Sequence, residues 1–120
     1  MHGSVGLFVY GTLKRRCWNH NYISHCRLVG EGYVAGYTLA IDSYIPYAVR
    51  APRECRVWGE VYLVDQLTLS RVDRLEGHPE EYRRVRVRVM LAGGGSLDAY
   101  MYEWPHARAD RCIGEVYECG

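Results

Sequence analysis

The sequence predicts an α+β fold in which a small mixed β-barrel carries short flanking helices. Short runs rich in valine, tyrosine and leucine recur along the 120-residue chain, and glycine- or proline-containing turns separate most of them. Such spacing suits strands connected as hairpins, which close into a barrel or a strongly curled sheet. Only two segments carry helix start and stop signals. The length suits one domain spanning residues 1–120, with a single hydrophobic core.

The first half of the chain contributes several predicted strands and one short helix. Residues 6–10 form an apolar run that ends at a glycine, which is typical of a buried strand. Asn19 is a suitable N-cap for a short helix over residues 20–26. Glycines interrupt residues 28–43, which predicts strands with bends or bulges. Another short strand, residues 47–51, lies between two prolines.

The second half predicts a helix followed by a hairpin. Residues 56–64 form a strand, and Asp65 then caps a helix whose apolar residues recur every three positions. The helix is expected to end at Gly77, because this glycine and a proline two positions later form a stop signal. Valine and arginine alternate over residues 82–91, which indicates a half-buried strand, and residues 97–104 form its partner after a glycine-rich turn. We expect a short helix and a tail in the last sixteen residues.

The charge balance argues against two classes of partner. The formal net charge is +1, which is too small for the basic footprint of a nucleic-acid-binding domain or for a polybasic membrane patch. The arginines of residues 82–91 alternate with valines, so we expect them on a solvated sheet face. No apolar run approaches the length of about 18 residues that a transmembrane helix needs. The first residues lack a signal-peptide pattern, which predicts a cytoplasmic protein.

The cysteines raise the question of disulfides. There are five, an odd number, and without a secretion signal they are expected to be reduced thiols. Intracellular disulfides do occur in hyperthermophiles, and Cys112 with Cys119 is the pair that we would test first.

A Cys–His cluster near the N-terminus has the spacing of a metal site. Cys17, His20, His25 and Cys26 fall within ten positions, and Cys-x-x-His spacing can bind zinc. Adjacent residues on a helix point about 100° apart, so two ligand pairs on one short segment do not easily converge. No third group is available to orient a Cys–His nucleophile. We therefore prefer a helix with incidental polar residues to a metal site, and we expect no cofactor.

A glycine turn follows the first predicted strand, in VYGTLK at residues 9–14. Gly11 allows close backbone approach, because it has no side chain. The successive N–H groups of Gly11, Thr12 and Leu13 can then point into one concavity and bind an anion or an oxyanion. An ordinary strand–turn is the alternative on these residues alone.

Glu76 is the carboxylate that breaks a local rule. It stands at the C-terminal end of the predicted helix, where the helix dipole disfavours negative charge and raises the pKa of a carboxyl group. Burial would act in the same direction and give a group that accepts and donates protons near neutral pH. An exposed glutamate, or one paired with a nearby arginine, is the alternative. Glu80 and Glu81 follow a proline in a polar loop, and we expect neither to be catalytic.

Two further motifs accompany these sites. In chain order the four are FVYGTLKR near the N-terminus, NH at residues 19–20, GEVYLVD at residues 59–65 and DRLEGHPEEYRR at residues 73–84. Together they resemble the γ-glutamylcyclotransferase-like superfamily, and most closely its small γ-glutamylamine cyclotransferase branch. The resemblance covers about residues 6–102, and the pairing of YGTLK with a downstream LEG glutamate is more specific than either motif alone.

The resemblance implies a fold, an activity and a site. The fold is a small β-barrel flanked by helices, and the activity is release of 5-oxoproline from a small-molecule γ-glutamyl amine or peptide without water or metal. The family's catalytic glutamate falls on Glu76, which would act as general acid/base while the substrate's own amine attacks its γ-carbonyl. A tyrosine after the acidic loop falls on Tyr82, which would hydrogen-bond the substrate or Glu76, unless it is only a barrel-rim aromatic. The family's binding turn falls on Tyr10, Gly11, Thr12 and Leu13.

Two departures leave the substrate open. Arg16 stands where the family usually has a glycine, so the loop after YGTLKR is expected to have a different shape. The middle region follows the family only loosely, at IPYAV, so the leaving amine stays unassigned, as does the oligomeric state. A non-catalytic small-molecule binding protein of the same fold is the alternative, because a fold does not fix an activity.

Overall fold

Residues 3–119, the part that the computed structural model describes, form seven strands, one α-helix and one 3₁₀ turn. Residues 1–2 and 120 of the predicted single domain lie outside this part. The elements in chain order are β1 (Val5–Val9), the 3₁₀ turn (His20–Tyr22), β2 (Arg27–Ala35), β3 (Tyr37–Asp42), β4 (Ile45–Arg50), β5 (Arg56–Val64), α1 (Gln66–Glu76), β6 (Arg83–Leu91) and β7 (Ser96–Glu103).

Five of these strands close into a barrel in the order β1, β5, β2, β6, β7. The barrel closes where β7 meets β1 in parallel at Tyr100 and Leu7, and the other neighbours are antiparallel. Strands β3 and β4 form a separate hairpin. The predicted α+β class with a small mixed barrel is therefore confirmed. No helix within residues 3–119 is long and apolar enough to span a lipid bilayer.

Strand β1 is apolar on both faces because it lies between two parts of the core. Phe8 packs inside the barrel, in a cluster that also contains Val61 and Met101. Leu7 and Val9 point the other way and pack against residues of α1. Alternate side chains of a strand face opposite sides of the sheet, so a continuous apolar run is what this position requires. The end of β1 and the end of α1 are thereby held close together.

Helix α1 has the bounds that the sequence predicts, because both ends are fixed by local signals. The Asp65 carboxylate accepts a hydrogen bond from the Thr68 N–H at 2.7 Å, which is an N-cap. Gly77 ends the helix with a φ of 67°, in the left-handed region that favours glycine. Its N–H donates to the carbonyl of Arg74 at 3.3 Å. Glu76 is consequently the last helical residue.

The predicted helix over residues 20–26 is wrong. The structure has only the 3₁₀ turn there, and Asn19 makes no side-chain capping bond. The Asn19 amide instead donates to the Thr12 hydroxyl at 3.0 Å, so this residue serves the turn after β1.

The helix predicted in the last sixteen residues is also wrong. In the described part, this segment is an irregular strap that crosses the hairpin and β5. The N–H groups of Leu39 and Trp58 donate to the carbonyls of Gly114 and Glu115, both at 2.8 Å. These bonds satisfy carbonyl groups of the strap that a helix would satisfy internally. Whether the segment forms a helix or a strap therefore depends on strands that are far away in the sequence.

Two disulfides hold this strap, and the sequence indicated neither. Cys17 is bonded to Cys119, and Cys55 to Cys112, with Cα–Cα distances of 5.6 and 5.3 Å. The prediction of reduced thiols is wrong for these four, and the suggested Cys112–Cys119 pair is wrong because the strap runs onward from Cys112 across the sheet. Cys26 is the free thiol of the described residues.

The suspected zinc ligands do not converge. Cys17 is oxidised, His20 contacts the carbonyl of Leu13, and His25 contacts the hydroxyl of Thr68. Among residues 3–119, no group of three or more His, Cys, Asp or Glu side chains is arranged to hold a metal ion.

Candidate active site

A cavity of about 220 Å³ opens between the end of β1 and the end of α1. All six residues that the sequence analysis assigned to the site line this one cavity: Tyr10, Gly11, Thr12, Leu13, Glu76 and Tyr82. The two motifs lie more than sixty positions apart in the chain, and the packing of α1 on β1 brings them together.

The Glu76 carboxyl group is the ionisable group with a pKa nearest neutrality in the wall of this cavity. Burial raises the pKa of Glu76 to about 7, and the negative charge of Glu81 contributes to the rise. No hydrogen bond from residues 3–119 to the Glu76 carboxyl oxygens contributes to this pKa. A carboxyl group with this pKa can both take up and release a proton at neutral pH.

Glu81 is closer to the site than the sequence analysis expected. The chain turns back after α1, with the N–H of Glu81 donating to the carbonyl of Gly77 at 2.8 Å. The N–H of Tyr82 donates to the carbonyl of Glu76 at 3.2 Å. The Glu81 side chain therefore lies against Gly77, the residue that follows Glu76. Glu80 is exposed.

The turn after β1 presents unused backbone donors to the cavity. No hydrogen bond within residues 3–119 uses the N–H groups of Gly11, Thr12 or Leu13. Gly11 is needed here for space, since a Cβ at this position would lie 2.6 Å from Cγ of Pro46. Three successive free N–H groups beside a cavity are suited to bind an anion or a developing oxyanion.

Asn19 and His20 hold this turn in place. The Asn19 amide donates to the Thr12 hydroxyl, and the Asn19 N–H donates to the Thr12 carbonyl, both at 3.0 Å. His20 Nδ1 lies 2.9 Å from the carbonyl oxygen of Leu13 and carries the proton, because a carbonyl oxygen only accepts. The NH motif thus positions the turn, a role that the sequence analysis did not assign although it named NH among the family motifs.

The hydroxyl of Tyr10 is used within the fold. It donates to the carbonyl of Tyr102 at 2.7 Å and accepts from the N–H of Ala48 at 3.2 Å. Burial, and then the charge of Glu76, raises the pKa of Tyr10 well above its ordinary value. The side chain therefore stays neutral and ties β1 to β4 and β7.

Tyr82 forms the aromatic wall of the cavity. Its hydroxyl donates to the carbonyl of Pro46 at 2.8 Å, and no bond to Glu76 is formed. Its ring stacks on Tyr47 at an interplanar angle of 6°, and Trp104 packs edge-on against both. The hydroxyl oxygen keeps a free lone pair that can accept a hydrogen bond from a ligand.

Other lining residues were not assigned from the sequence. Tyr102 donates to Asp73 at 2.6 Å and so connects β7 to α1. The rest of the unassigned set is largely apolar, and single aromatic or aliphatic residues carry no signal that distinguishes a cavity wall from an ordinary core: Phe8, Val9, Trp18, Ile45, Pro46 and Leu75. Asn19 is the polar member that the motif could have revealed.

Comparisons with known proteins identify the family to which this chain is similar. A family model described as gamma-glutamyl cyclotransferase, AIG2-like, matches residues 7–119. A Methanocaldococcus jannaschii protein that provisionally bears the name gamma-glutamylcyclotransferase is 38% identical over 102 residues, which cover 84% of this chain and 85% of its own. A Bos taurus gamma-glutamylaminecyclotransferase is 37% identical in an alignment that covers 83% of this chain and 70% of its own. The crystal structure of an AIG2-like protein from Mus musculus has a TM-score of 0.77 at 31% identity, covering 85% of this chain and 78% of that one.

Proposed function

The chain belongs to the gamma-glutamyl cyclotransferase, AIG2-like family, and from this premise we propose that it releases 5-oxoproline from a γ-glutamyl amine or γ-glutamyl peptide. One observation carries the proposal. The Glu76 carboxyl group, with its raised pKa, and the unused N–H groups of Gly11, Thr12 and Leu13 line the same small cavity. A proton carrier and a set of anion-binding donors are what an intramolecular attack on an amide requires.

Glu76 is the general acid/base of the proposed reaction. Its carboxylate takes a proton from the substrate's α-amino group as that nitrogen attacks the γ-carbonyl carbon. A carbon–nitrogen bond forms, the five-membered ring closes, and the carbonyl electron pair moves onto oxygen. When the oxyanion collapses, the bond to the leaving amine breaks and Glu76 returns the proton to the leaving nitrogen. One amide bond replaces another, so the atoms balance without water.

The free N–H groups of the turn stabilise negative charge on the substrate. They can hold either the oxyanion of the intermediate or the α-carboxylate of the glutamyl group. Neither role requires a positive side chain, and the described lining residues include none. Because the attack is intramolecular, most of the rate comes from holding the glutamyl chain in a folded shape close to that of the product.

The size of the cavity suits the glutamyl part of the substrate but not the whole substrate. Its volume of about 220 Å³ is below the about 300–1,000 Å³ of sites that enclose drug-sized ligands. The glutamyl part would be enclosed, and the leaving amine would project from the mouth.

Release of 5-oxoproline tests the proposal directly. The protein is incubated with a panel of γ-glutamyl amines and γ-glutamyl dipeptides, and 5-oxoproline is measured by chromatography. We expect Glu76→Gln to lower kcat by about 100-fold or more, as the loss of a general acid/base does. Glu80→Gln is the matched control, because Glu80 is an exposed glutamate near the same helix end.

Each result has a defined meaning. Release that Glu76→Gln leaves unchanged would remove Glu76 from the mechanism. Saturable binding of several γ-glutamyl compounds without any release would instead favour a non-catalytic binding protein of the same fold.

We further propose that the protein acts in the cytoplasm on this small-molecule substrate, with no nucleic acid or membrane partner and no cofactor. The two disulfides do not argue against that location in every organism, since intracellular proteins of hyperthermophiles contain them. Redox state is checked by alkylating thiols in freshly lysed cells before purification.

A further inference from the structure

Two exposed apolar side chains stand at the mouth of the cavity. Trp18 is 60% exposed and Ile45 is 45% exposed, and both line the cavity. They come from different parts of the chain, the loop after β1 and the start of β4. Exposed apolar side chains that meet at the opening of a site usually mark a surface that a ligand covers.

Trp18 is held firmly even though it is exposed. Its neighbour Cys17 is bonded to Cys119, and its other neighbour, Asn19, makes two hydrogen bonds to Thr12. Its ring packs edge-on against Tyr117 with a centroid distance of 6.4 Å. An exposed aromatic side chain that is fixed in advance costs little conformational entropy when it binds a ligand.

Ile45 is held from the other side by the same tyrosine. The hydroxyl of Tyr117 donates to the carbonyl of Tyr44 at 2.7 Å. Ser43 and Tyr44 form the hairpin turn with φ values of 52° and 68°, a strained conformation for residues other than glycine. Tyr117 itself is only 4% exposed. One buried side chain of the C-terminal strap therefore supports both walls of the mouth.

The described residues that line the cavity offer no positive charge to a leaving group, and the nearby Lys14 ammonium is bonded to the carbonyl of Tyr117 at 2.6 Å. Glu76 is the one Asp, Glu, Lys, Arg or His side chain among the described residues that line the cavity, and the proposed reaction uses it. Asn19 is committed to Thr12, and Tyr82 donates its proton to Pro46. A substituent that passes between Trp18 and Ile45 would meet carbon atoms on both sides.

We propose that Trp18 and Ile45 form the subsite for the substituent of the leaving amine, and that the substrates are γ-glutamyl amides of uncharged apolar or aromatic amines. This inference rests on the proposed function. It assigns the chemical class of the leaving amine, which the family resemblance leaves open. Tyr117 is a positioning residue that fixes the distance between the two walls.

A matched substrate series tests the inference. The probes are γ-glutamyl methylamide, γ-glutamyl benzylamide and the γ-glutamyl derivative of the lysine side-chain amine, with kcat/KM measured for each. We expect the benzylamide to exceed both others by about 10-fold or more, which is the discrimination that an apolar pocket provides. Trp18→Ala should reduce the ratio of the kcat/KM for the benzylamide to that for the methylamide towards one. Trp18→Phe, which keeps an aromatic ring, should retain much of this ratio.

Two controls separate recognition from folding. Leu67→Ala removes an apolar side chain that is 62% exposed on α1 and does not line the cavity, so the ratio should not change. Tyr117→Phe removes only the bond to Tyr44, and we expect a higher KM for the benzylamide with little change in kcat.

The outcomes distinguish this inference from the proposed function. No 5-oxoproline from any of the three amides would overturn the inference, and the absence of release from the γ-glutamyl dipeptides as well would overturn the proposed function. Glu76-dependent release with equal kcat/KM values, or with the lysine derivative preferred, would overturn the inference alone. A loss in Trp18→Ala that is the same for all three substrates would also overturn it.

Discussion

The side chain of Glu81 packs against Gly77, the residue that follows Glu76, because the loop after α1 folds back over this glycine. The negative charge of Glu81 opposes ionisation of Glu76, so the pKa of Glu76 rises beyond the effect of burial. Glu81 thereby acts on the proton affinity of the proposed catalytic group without lining the cavity.

Removing this charge should shift the pH dependence of turnover. Glu81→Gln lowers the pKa of Glu76, so a larger fraction of Glu76 is ionised and able to act as a base at about pH 6. We expect the acidic limb of the kcat/KM profile to move to lower pH, while turnover near about pH 8 stays largely intact. Glu80→Gln should leave the profile in place. An acidic limb that Glu81→Gln does not move would show that the group titrating there is not Glu76.

Glu76 should also make the stability of the protein depend on pH. Its pKa is about 7 in the folded protein and about 4.3 in an unfolded chain. The folded state therefore binds the proton more tightly, and this contribution to stability is present below about pH 4 and lost as the pH rises through about 7.

Glu76→Gln should abolish the decrease in stability that ionisation of Glu76 causes at higher pH. After discounting for its partial exposure, we expect the variant to be more stable than the wild type by about 2–3 kcal/mol near pH 8 and equal to it near pH 4. Urea unfolding at both pH values measures the difference, and Glu80→Gln serves as the control. A variant that is destabilised at the higher pH would mean that the ionised carboxylate is stabilised in the fold.

Arg16 adopts a conformation that suits glycine. Its φ is 71°, and its side chain makes no ion pair within the described residues. We expect Arg16→Gly to raise the free energy of unfolding by about 1 kcal/mol, because the strain of a side chain in the left-handed region is removed.

Arg15 is the matched control for this change. Its N–H and its guanidinium group bind the buried carboxylate of Glu60 at 3.0 and 3.1 Å. Arg15→Gly should therefore destabilise the protein in the same unfolding experiment. A loss of stability in Arg16→Gly would mean that the Arg16 side chain makes a contribution larger than the strain.

How far the sequence predicts this protein depends on whether a feature is fixed locally. Helix α1 was predicted correctly because Asp65 and Gly77 act on backbone groups within a few positions of themselves. The C-terminal strap was not, because its conformation depends on bonds to Leu39 and Trp58, which are far away in the chain. The pairing of Cys17 with Cys119 likewise follows from the path of the strap and not from spacing.

The residues of the candidate site also differ in whether the sequence alone could reveal them. Glu76 was selected because its position at the end of a helix and the family motif indicate the same residue, and Gly11 was selected mainly by the motif. Their location in one cavity agrees with that selection. Trp18 and Ile45 could not be selected in this way, because only the tertiary structure shows that they line the same cavity.

Gly11 provides the last prediction, because its lack of a side chain brings Pro46 against the turn. A Cβ at Gly11 would lie 2.6 Å from Cγ of Pro46, so the turn or the hairpin must move. We expect Gly11→Val to lower kcat/KM for 5-oxoproline release by about 100-fold, since small displacements of binding groups have effects of this size. Gly93→Ala is the control, because a Cβ there meets nothing within 4 Å.

A second substitution identifies the cause of the loss. Pro46→Ala removes the ring carbon that a Cβ at Gly11 would strike, while the Pro46 carbonyl that accepts from Tyr82 is retained. In a double-mutant cycle with Gly11→Ala, Pro46→Ala should recover part of the lost kcat/KM, because the two changes share one contact. If Gly11→Ala costs the same with and without the proline ring, the loss arises from the backbone conformation of the turn and the contact with Pro46 has no part in it.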